Sequence, residues 1–393
     1  MNDLKSVRNK NRIADNIKDI PKSGIRDFFE LVNTMKDVIS LGIGEPDFTT
    51  PWTIREAAIY SIEKGMTSYT SNLGIMSLRK EICKYVDKYY GVSYKPENEC
   101  IITVGVSEAL DLILRAVINP GDEVIYHEPC YVSYRAEILM ARGVPVVLNT
   151  YEKNDFSLDP DELEKKITPK TKLLILNFPC NPTGATLSQE QRERIAEIAV
   201  KHDLLVITDE IYSELTYENR QPTIASLPGM RDRTIFLHGF SKAFAMTGFR
   251  IGYACGPDDF IDAMMKIHQY SMLCAPTTAQ IAAEEALKNC MKDMESMRTE
   301  YMQRRNVIVK HLNEIGLKCY KPKGSFYVFP RISDTGMTSM EFAQGLLKKH
   351  NVAVVPGTAF GACGEGFVRC SYASSMENIV EAVKRMELFI KKS

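Results

Sequence analysis

The stretch His238-Gly-Phe-Ser-Lys-Ala-Phe-Ala-Met-Thr-Gly-Phe-Arg-Ile-Gly-Tyr253 sets one lysine, Lys242, just past a short apolar run, Thr234-Ile-Phe-Leu237. Arg250 follows eight residues further on. A lysine at the exit of a buried strand loses part of its solvation, and its amine becomes nucleophilic enough to form an imine with a carbonyl. The glycines and small residues around it let backbone approach a flat ligand closely. Ser241 and Arg250 add a hydroxyl and a cation for an anion carried by that ligand. In isolation, a Ser-Lys pair before an apolar stretch is an ordinary surface turn, so the reading depends on partners elsewhere in the chain.

Such partners exist. In an open parallel sheet, ligands bind beyond the carboxyl ends of the strands. Asn181 follows the apolar run Leu173–Leu176, Asp209 follows Leu204–Ile207, and Lys242 follows the run ending at Leu237. An imine-forming lysine, a phosphate-binding arginine and a carboxylate that keeps a pyridine nitrogen protonated are what pyridoxal 5'-phosphate requires. Asp209 is the candidate carboxylate; Asn181 and Tyr212 are placed to hydrogen-bond the cofactor's 3'-oxygen. Gly105-Val106-Ser107 reads as a strand-to-helix turn whose free backbone N–H groups can cradle a phosphate. Tyr131 could stack on the cofactor ring. Each has a plain alternative: Asp209 as a turn cap, Tyr131 and Tyr212 as core packing.

The elements that must position these residues read as α/β. From about residue 100 to 255 short apolar strands alternate with helices, which predicts a mostly parallel sheet covered on both faces. Strands are expected at Cys100–Val104, Glu123–Tyr126, Lys172–Asn177, Leu204–Thr208 and Thr234–Leu237. A helix is expected from Ser107, and another opens at Ser188-Gln-Glu-Gln191, a capping-box pattern. After about residue 285 a long charged helix, Met294 to Ile315, precedes strands at Ser325–Phe329, Val352–Val355 and Gly366–Tyr372 and a helix near Met376–Lys391. The division is therefore a segment 1–45 joining the smaller α+β domain, a large domain 46–285, and a small C-terminal domain 286–393.

Composition narrows the class. The 393 residues carry 45% hydrophobic and 25% charged residues, ordinary globular values. A formal charge of -1 argues against a nucleic-acid footprint or an anionic membrane surface. No apolar run reaches transmembrane length, and the polar start Met1–Arg12 lacks a signal-peptide core. Ten cysteines without CxxC pairs, and scattered histidines, read as reduced thiols in a cytoplasmic protein with no metal site.

Five segments occur in an ordered set: Gly44-Glu-Pro-Asp-Phe48, Asn181-Pro-Thr-Gly184, Asp209-Glu-Ile-Tyr212, Ser241–Arg250 and Val368-Arg-Cys-Ser-Tyr-Ala373. In that order they resemble class I (fold-type I) pyridoxal-phosphate aminotransferases, most strongly the prokaryotic aromatic and aspartate enzymes, from about Ser23 to the C-terminus. The resemblance implies a seven-stranded-type sheet in the large domain. It makes Lys242 the imine-forming lysine and general acid/base, Arg369 the fork for the substrate α-carboxylate, and Gly44 a backbone contact to the same group. Asn181 contacts substrate as well as cofactor. Tyr69 resembles the tyrosine lent to the neighbouring subunit's phosphate, which implies a homodimer with its site at the interface. Two departures stand out: Tyr131 where many relatives carry Trp or Phe, and Val106 where a small or polar residue is common. The implied activity is ping-pong transfer of an amino group from an amino acid, aromatic donors favoured, to a 2-oxo acid such as 2-oxoglutarate. Aspartate, alanine or N-acetyl-diaminopimelate are alternative donors. C–S lysis and a non-catalytic cofactor-binding role are further readings. Segments Ser23–Arg26 and Tyr212–Tyr217 resemble the diaminopimelate enzymes, and Ile25–Phe29 is expected to close over substrate or pack as a dimer arm.

Overall fold

The computed structural model describes residues 13–18, 20, 37–218 and 222–391. The segments Ser23–Arg26 and Ile25–Phe29, considered above as a substrate cover, lie outside the described residues. Among the described residues twelve strands occur in chain order: β1 (Ile39–Ser40), β2 (Cys100–Thr103), β3 (Glu123–Glu128), β4 (Val144–Asn149), β5 (Thr171–Leu176), β6 (Leu205–Asp209), β7 (Thr234–Gly239), β8 (Gly252–Cys255), β9 (Tyr327–Val328), β10 (Val352–Ala353), β11 (Val355–Pro356) and β12 (Val368–Ser371).

Strands β2 to β8 form one seven-stranded sheet in the order β2-β8-β7-β6-β5-β3-β4. All neighbours pair in parallel except β8, which runs antiparallel to both β7 and β2. The fold is α/β, with the continuous apolar strands buried on both faces. Side chains alternate as a pleat requires. Leu173, Ile175, Ile207, Ile235 and Leu237 point to one side, against Ala109, Leu110 and Ile113 of the helix Val106–Val117. Leu174, Leu176 and Val206 point to the other, against Ile195, Ile198 and Ala199 of the helix Gln189–Lys201.

That topology decides where the reactive residues emerge. β5, β6 and β7 run in one direction, so Asn177, Asp209 and Gly239 lie along one edge. Because β8 is reversed, its beginning rather than its end reaches that edge: Gly252 pairs with both Gly239 and Thr103. Arg250, two residues before Gly252, is thereby brought beside the exit of β7 and the turn after β2.

A second set of elements contains the antiparallel sheet β11-β12-β9 and the parallel pair β1-β10, packed with the helices Met291–Glu314, Ser339–His350 and Met376–Lys391. Its core also takes in Leu41, Tyr212, Leu215 and Tyr217, so it is continuous with residues that follow β6. Two expected strands differ. Val352–Val355 was read as one strand, yet it is shared between two sheets: β10 pairs with β1, and β11 with β12. All four valine/alanine side chains are fully buried, so the run carries no alternation from which to infer a change of partner. Of Ser325–Phe329 only Tyr327–Val328 pair as a strand, because Ser325 takes a left-handed backbone (φ 61) that extended pairing cannot use. All ten cysteines are free thiols. Among the described residues no helix is long and apolar enough to cross a membrane.

The capping box at the helix Gln189–Lys201 is formed as read: Ser188 Oγ accepts from the Gln191 N–H at 3.1 Å, and Gln191 Oε1 accepts from the Ser188 N–H at 2.9 Å. Ser188→Ala should cost about 1 kcal/mol, since it orphans one helix-start donor. Urea unfolding of the two proteins side by side measures it.

Candidate active site

A cavity of about 790 Å³ opens at the edge where β5, β6 and β7 end. Asp209 closes its floor, fully buried at the end of β6. One carboxylate oxygen accepts from the Tyr134 hydroxyl at 2.6 Å and the other from the Ile211 N–H at 3.2 Å. Asn177 donates to the Asp209 carbonyl at 3.0 Å and accepts the Asn181 N–H at 3.3 Å, tying two loops together. Burial raises the Asp209 carboxyl to about 6, against which its hydrogen bonds act only in part.

Lys242 sits in the short helix Phe240–Ala243 directly after β7. Its Nζ donates to the Gly44 carbonyl at 2.7 Å. Burial lowers its pKa to about 8; the charge of Glu45 works the other way, while Arg369 and Arg250 add to the lowering. The amine is thus poised to lose its proton near neutral pH, as a nucleophile or base must. Tyr212 shares a hydrogen bond with Tyr327 at 2.9 Å, and burial holds its phenol well above its ordinary range, so it stays a donor.

Arg369 enters from β12 and is buried. Nη1 donates to Asn181 Oδ1 at 2.9 Å and Nη2 to the Gly42 carbonyl at 2.6 Å. Its guanidinium lies between the rings of Tyr327 and Phe360, 4.4 and 4.8 Å from their centroids. Nε is buried and has no hydrogen-bond partner among the described residues. A buried arginine on the cavity wall with one donor still unpaired suits an incoming anion.

The turn after β2 is built on glycine. Gly105 has φ +81, and a Cβ there would come within 2.8 Å of Arg250 Nη2. It caps the helix Val106–Val117, whose first N–H groups face the cavity with the positive end of the helix dipole. Opposite, a Cβ at Gly252 would lie 2.7 Å from Val106 N, and one at Gly239 would lie 3.0 Å from a Val106 methyl. Lysine turn, arginine and amide cradle therefore meet where three glycines leave no room for a side chain. Glu108, in the first turn of the same helix, holds the Val104 N–H and His268 Nδ1 at 2.5 and 2.7 Å, fixing the turn from behind.

Of the residues expected from sequence, Gly44, Val106, Ser107, Tyr131, Asn181, Asp209, Tyr212, Ser241, Lys242, Arg250 and Arg369 line the cavity. Gly105 lies just behind it, against Arg250. Tyr69 is not among the lining residues and is 80% exposed. Sequence reasoning missed Tyr134, Asn177 and Tyr327. A polar residue ending an apolar strand was a usable signal for Asn177. Tyr327 lay in an expected strand and Tyr134 three residues after Tyr131, but nothing in their spacing marked them as partners of Asp209 and Tyr212. A second cavity, about 640 Å³, has Thr208, Glu210 and Ser213 among its lining residues; Glu210 already accepts from the hydroxyls of Thr208 and Ser213 and from Thr223.

The family model for aminotransferases of class I and II matches residues 36–386. An aspartate aminotransferase of Pyrococcus abyssi (strain GE5 / Orsay) is 47% identical over 95% of this chain and 97% of its own. An aromatic-amino-acid aminotransferase 2 of Thermococcus litoralis is 44% identical over 96% and 98%. The crystal structure of an aromatic aminotransferase from Pyrococcus horikoshii OT3 superposes with a TM-score of 0.89 at 47% identity, covering 94% of this chain and 99% of that one. The chain belongs to the class I and II aminotransferases. It is a transferase of amino groups, and its cofactor is pyridoxal 5'-phosphate. The cavity fits that group on its own terms: a carboxylate on the floor, an amine of lowered pKa, and a glycine-lined anion cradle that a Cβ would fill.

Keeping Asp209 ionised without a cationic partner is costly. With its carboxyl raised from 3.8 to about 6, it favours folding only while protonated, and that contribution is lost as pH rises through the folded value. At neutral pH the cost is on the order of 3 kcal/mol. Asp209→Asn should therefore raise the urea midpoint of the cofactor-free protein at neutral pH, with the gain fading as pH falls from about 6 to 3.8.

Proposed function

We propose that this enzyme moves the α-amino group of an amino acid, with aromatic donors favoured, to a 2-oxo acid such as 2-oxoglutarate in a ping-pong cycle. The observation that carries the reading is the convergence of Lys242, Asp209 and Arg369 on one cavity. Bound pyridoxal phosphate supplies an electron sink for the pair left when the substrate α-carbon loses its proton. Asp209 would face its ring nitrogen, Asn181 and Tyr212 its 3'-oxygen, and Tyr131 its ring face. The amides after Gly105, with Ser107, Ser241 and Arg250, would hold its phosphate. Arg369, steadied by Asn181 and Gly42, grips the substrate α-carboxylate beside the Gly44 backbone and so orients the α-carbon. Lys242, neutral above about pH 8, accepts the α-proton at Nζ and returns it.

The lining bears on the donor. Among the described lining residues the cations are Lys242, Arg250 and Arg369, all committed by this reading. Ile43, Leu110, Val132 and Ile211, with the rings of Tyr131 and Tyr327, supply apolar wall. Binding a second carboxylate would require a cation from beyond the described part of one subunit. Aspartate remains the second reading, supported by the Pyrococcus abyssi relative.

Large apolar side chains stand in water on one side: Trp52, Tyr60, Ile62, Tyr69 and Tyr270 are each at least half exposed. The segments of Tyr69 and Tyr270 are tied together, because Thr277 donates to the Ser68 carbonyl and Asn72 to that of Leu273. This face supports a homodimer in which each subunit lends Tyr69 to the other's site; its place in the cytoplasm remains our reading of the cysteine usage. The division at about residues 45 and 285 remains our reading of the domain boundaries.

Lys242→Ala should still bind cofactor but not turn over. Arg369→Ala should raise KM for every amino acid by roughly 100-fold, as expected for losing two charged hydrogen bonds. Steady-state kinetics with phenylalanine, tyrosine and aspartate should give the higher kcat/KM for the aromatic pair; a preference for aspartate would overturn the donor assignment.

A further inference from the structure

Behind Lys242 lies a buried pair that none of the roles above uses. His238, four residues before the lysine, places Nε2 2.6 Å from Glu214 Oε2. Its other nitrogen, Nδ1, accepts the N–H of Gly239 at 2.7 Å. Glu214 also accepts from the Tyr90 hydroxyl at 2.6 Å and from that of Tyr85. Both side chains are almost fully buried, and the imidazole lies beside the rings of Phe236 and Tyr253, their centroids 5.9 and 5.5 Å from its own.

The hydrogen-bond pattern fixes the protons. A ring nitrogen that accepts an N–H carries no proton, so Nδ1 is bare and the imidazole proton resides on Nε2, pointing at Glu214. A carboxylate oxygen accepts that proton, and the other oxygen of Glu214 accepts from the hydroxyls of Tyr85 and Tyr90. Were the imidazole proton on Nδ1 instead, it would oppose the Gly239 N–H directly. Gly239 is the residue from which the helix of Lys242 starts, and it has no slack: a Cβ there would meet Val106 at 3.0 Å and the Ile251 carbonyl at 3.1 Å.

We propose that Glu214 and His238 act as a tautomer lock that positions Lys242: the carboxylate holds the proton on Nε2, and the bare Nδ1 holds the Gly239 amide that sets the lysine's turn. The inference rests on the reading of Lys242 as the reactive amine. Both are positioning residues, since neither touches the cavity.

In holoenzyme labelled with 15N-histidine, the His238 resonances, identified by their loss in His238→Asn, should show the Nε2–H tautomer at neutral pH. A ring protonated on Nδ1, or on both nitrogens, overturns the proposal. Glu214→Leu should lower kcat by about 10- to 100-fold, as small misplacements of a catalytic group do, while the donor KM stays within about threefold. It should also move the pH midpoint of the cofactor's visible band. Glu214→Gln, which keeps an acceptor for Nε2–H, should recover most of both effects. A Glu214→Leu protein with native circular dichroism, unchanged kcat and unchanged midpoint overturns the lock. Should that variant not fold, the tautomer measured in the unaltered enzyme decides. Lys242→Ala separates this from the underlying reading: turnover by that variant removes the role of the lysine itself, whereas its inactivity beside an unaffected Glu214→Leu removes only the lock.

Discussion

The site depends on charge taken out of water at one edge of the sheet. Asp209 is buried there and Lys242 largely withdrawn from solvent, and desolvation pushes their pKa values toward each other, up to about 6 and down to about 8. Neither shift would survive if the cavity floor were wet, because solvent would restore the charged forms. The surrounding structure therefore serves to keep that floor dry and its polar atoms satisfied. Tyr134, the Ile211 amide and Asn177 do this for Asp209, and the Gly44 carbonyl does it for Lys242.

Arg369 performs the same service across a greater distance. It comes from the three-stranded sheet β11-β12-β9, yet its hydrogen bonds reach Asn181, in the loop after β5, and Gly42, in the segment after β1. Three separate stretches of chain are thereby held around one guanidinium. The flanking rings of Tyr327 and Phe360 exclude water from its faces and leave its edge as the polar approach. Tyr327 also binds Tyr212, so the residue that steadies the arginine steadies a cavity-facing phenol too.

How much of this was legible in the sequence follows from what each feature depends on. Five of the sheet's seven strands, all but β4 and β8, were readable because they are short, apolar and separated by amphipathic helices; the count of seven came from the family resemblance, and Ser188 and Gln191 marked a helix start outright. Lys242, Asp209 and Asn181 could be placed at one edge because parallel strands share a direction. The reversal of β8 had no signature of its own in an apolar run of four residues, although it is what brings Arg250 to that edge. The break in Val352–Val355 was hidden for the same reason: full burial removes alternation. Tyr134 and the Glu214–His238 pair were invisible because contacts between residues 75 and 24 positions apart arise only when the sheet assembles.

The junction of Gly105, Gly239 and Gly252 has a consequence for how such an enzyme can change. Where these turns touch, backbone and a Val106 methyl fill the space between the lysine's helix and the anion cradle, so the interval between them leaves no room for a further side chain. Side chains lining the rest of the cavity can be exchanged without altering that interval, since none of them sets it. The junction works as a fixed gauge: it holds the reactive amine and the anion cradle at one spacing while the walls that face the substrate remain free to diverge.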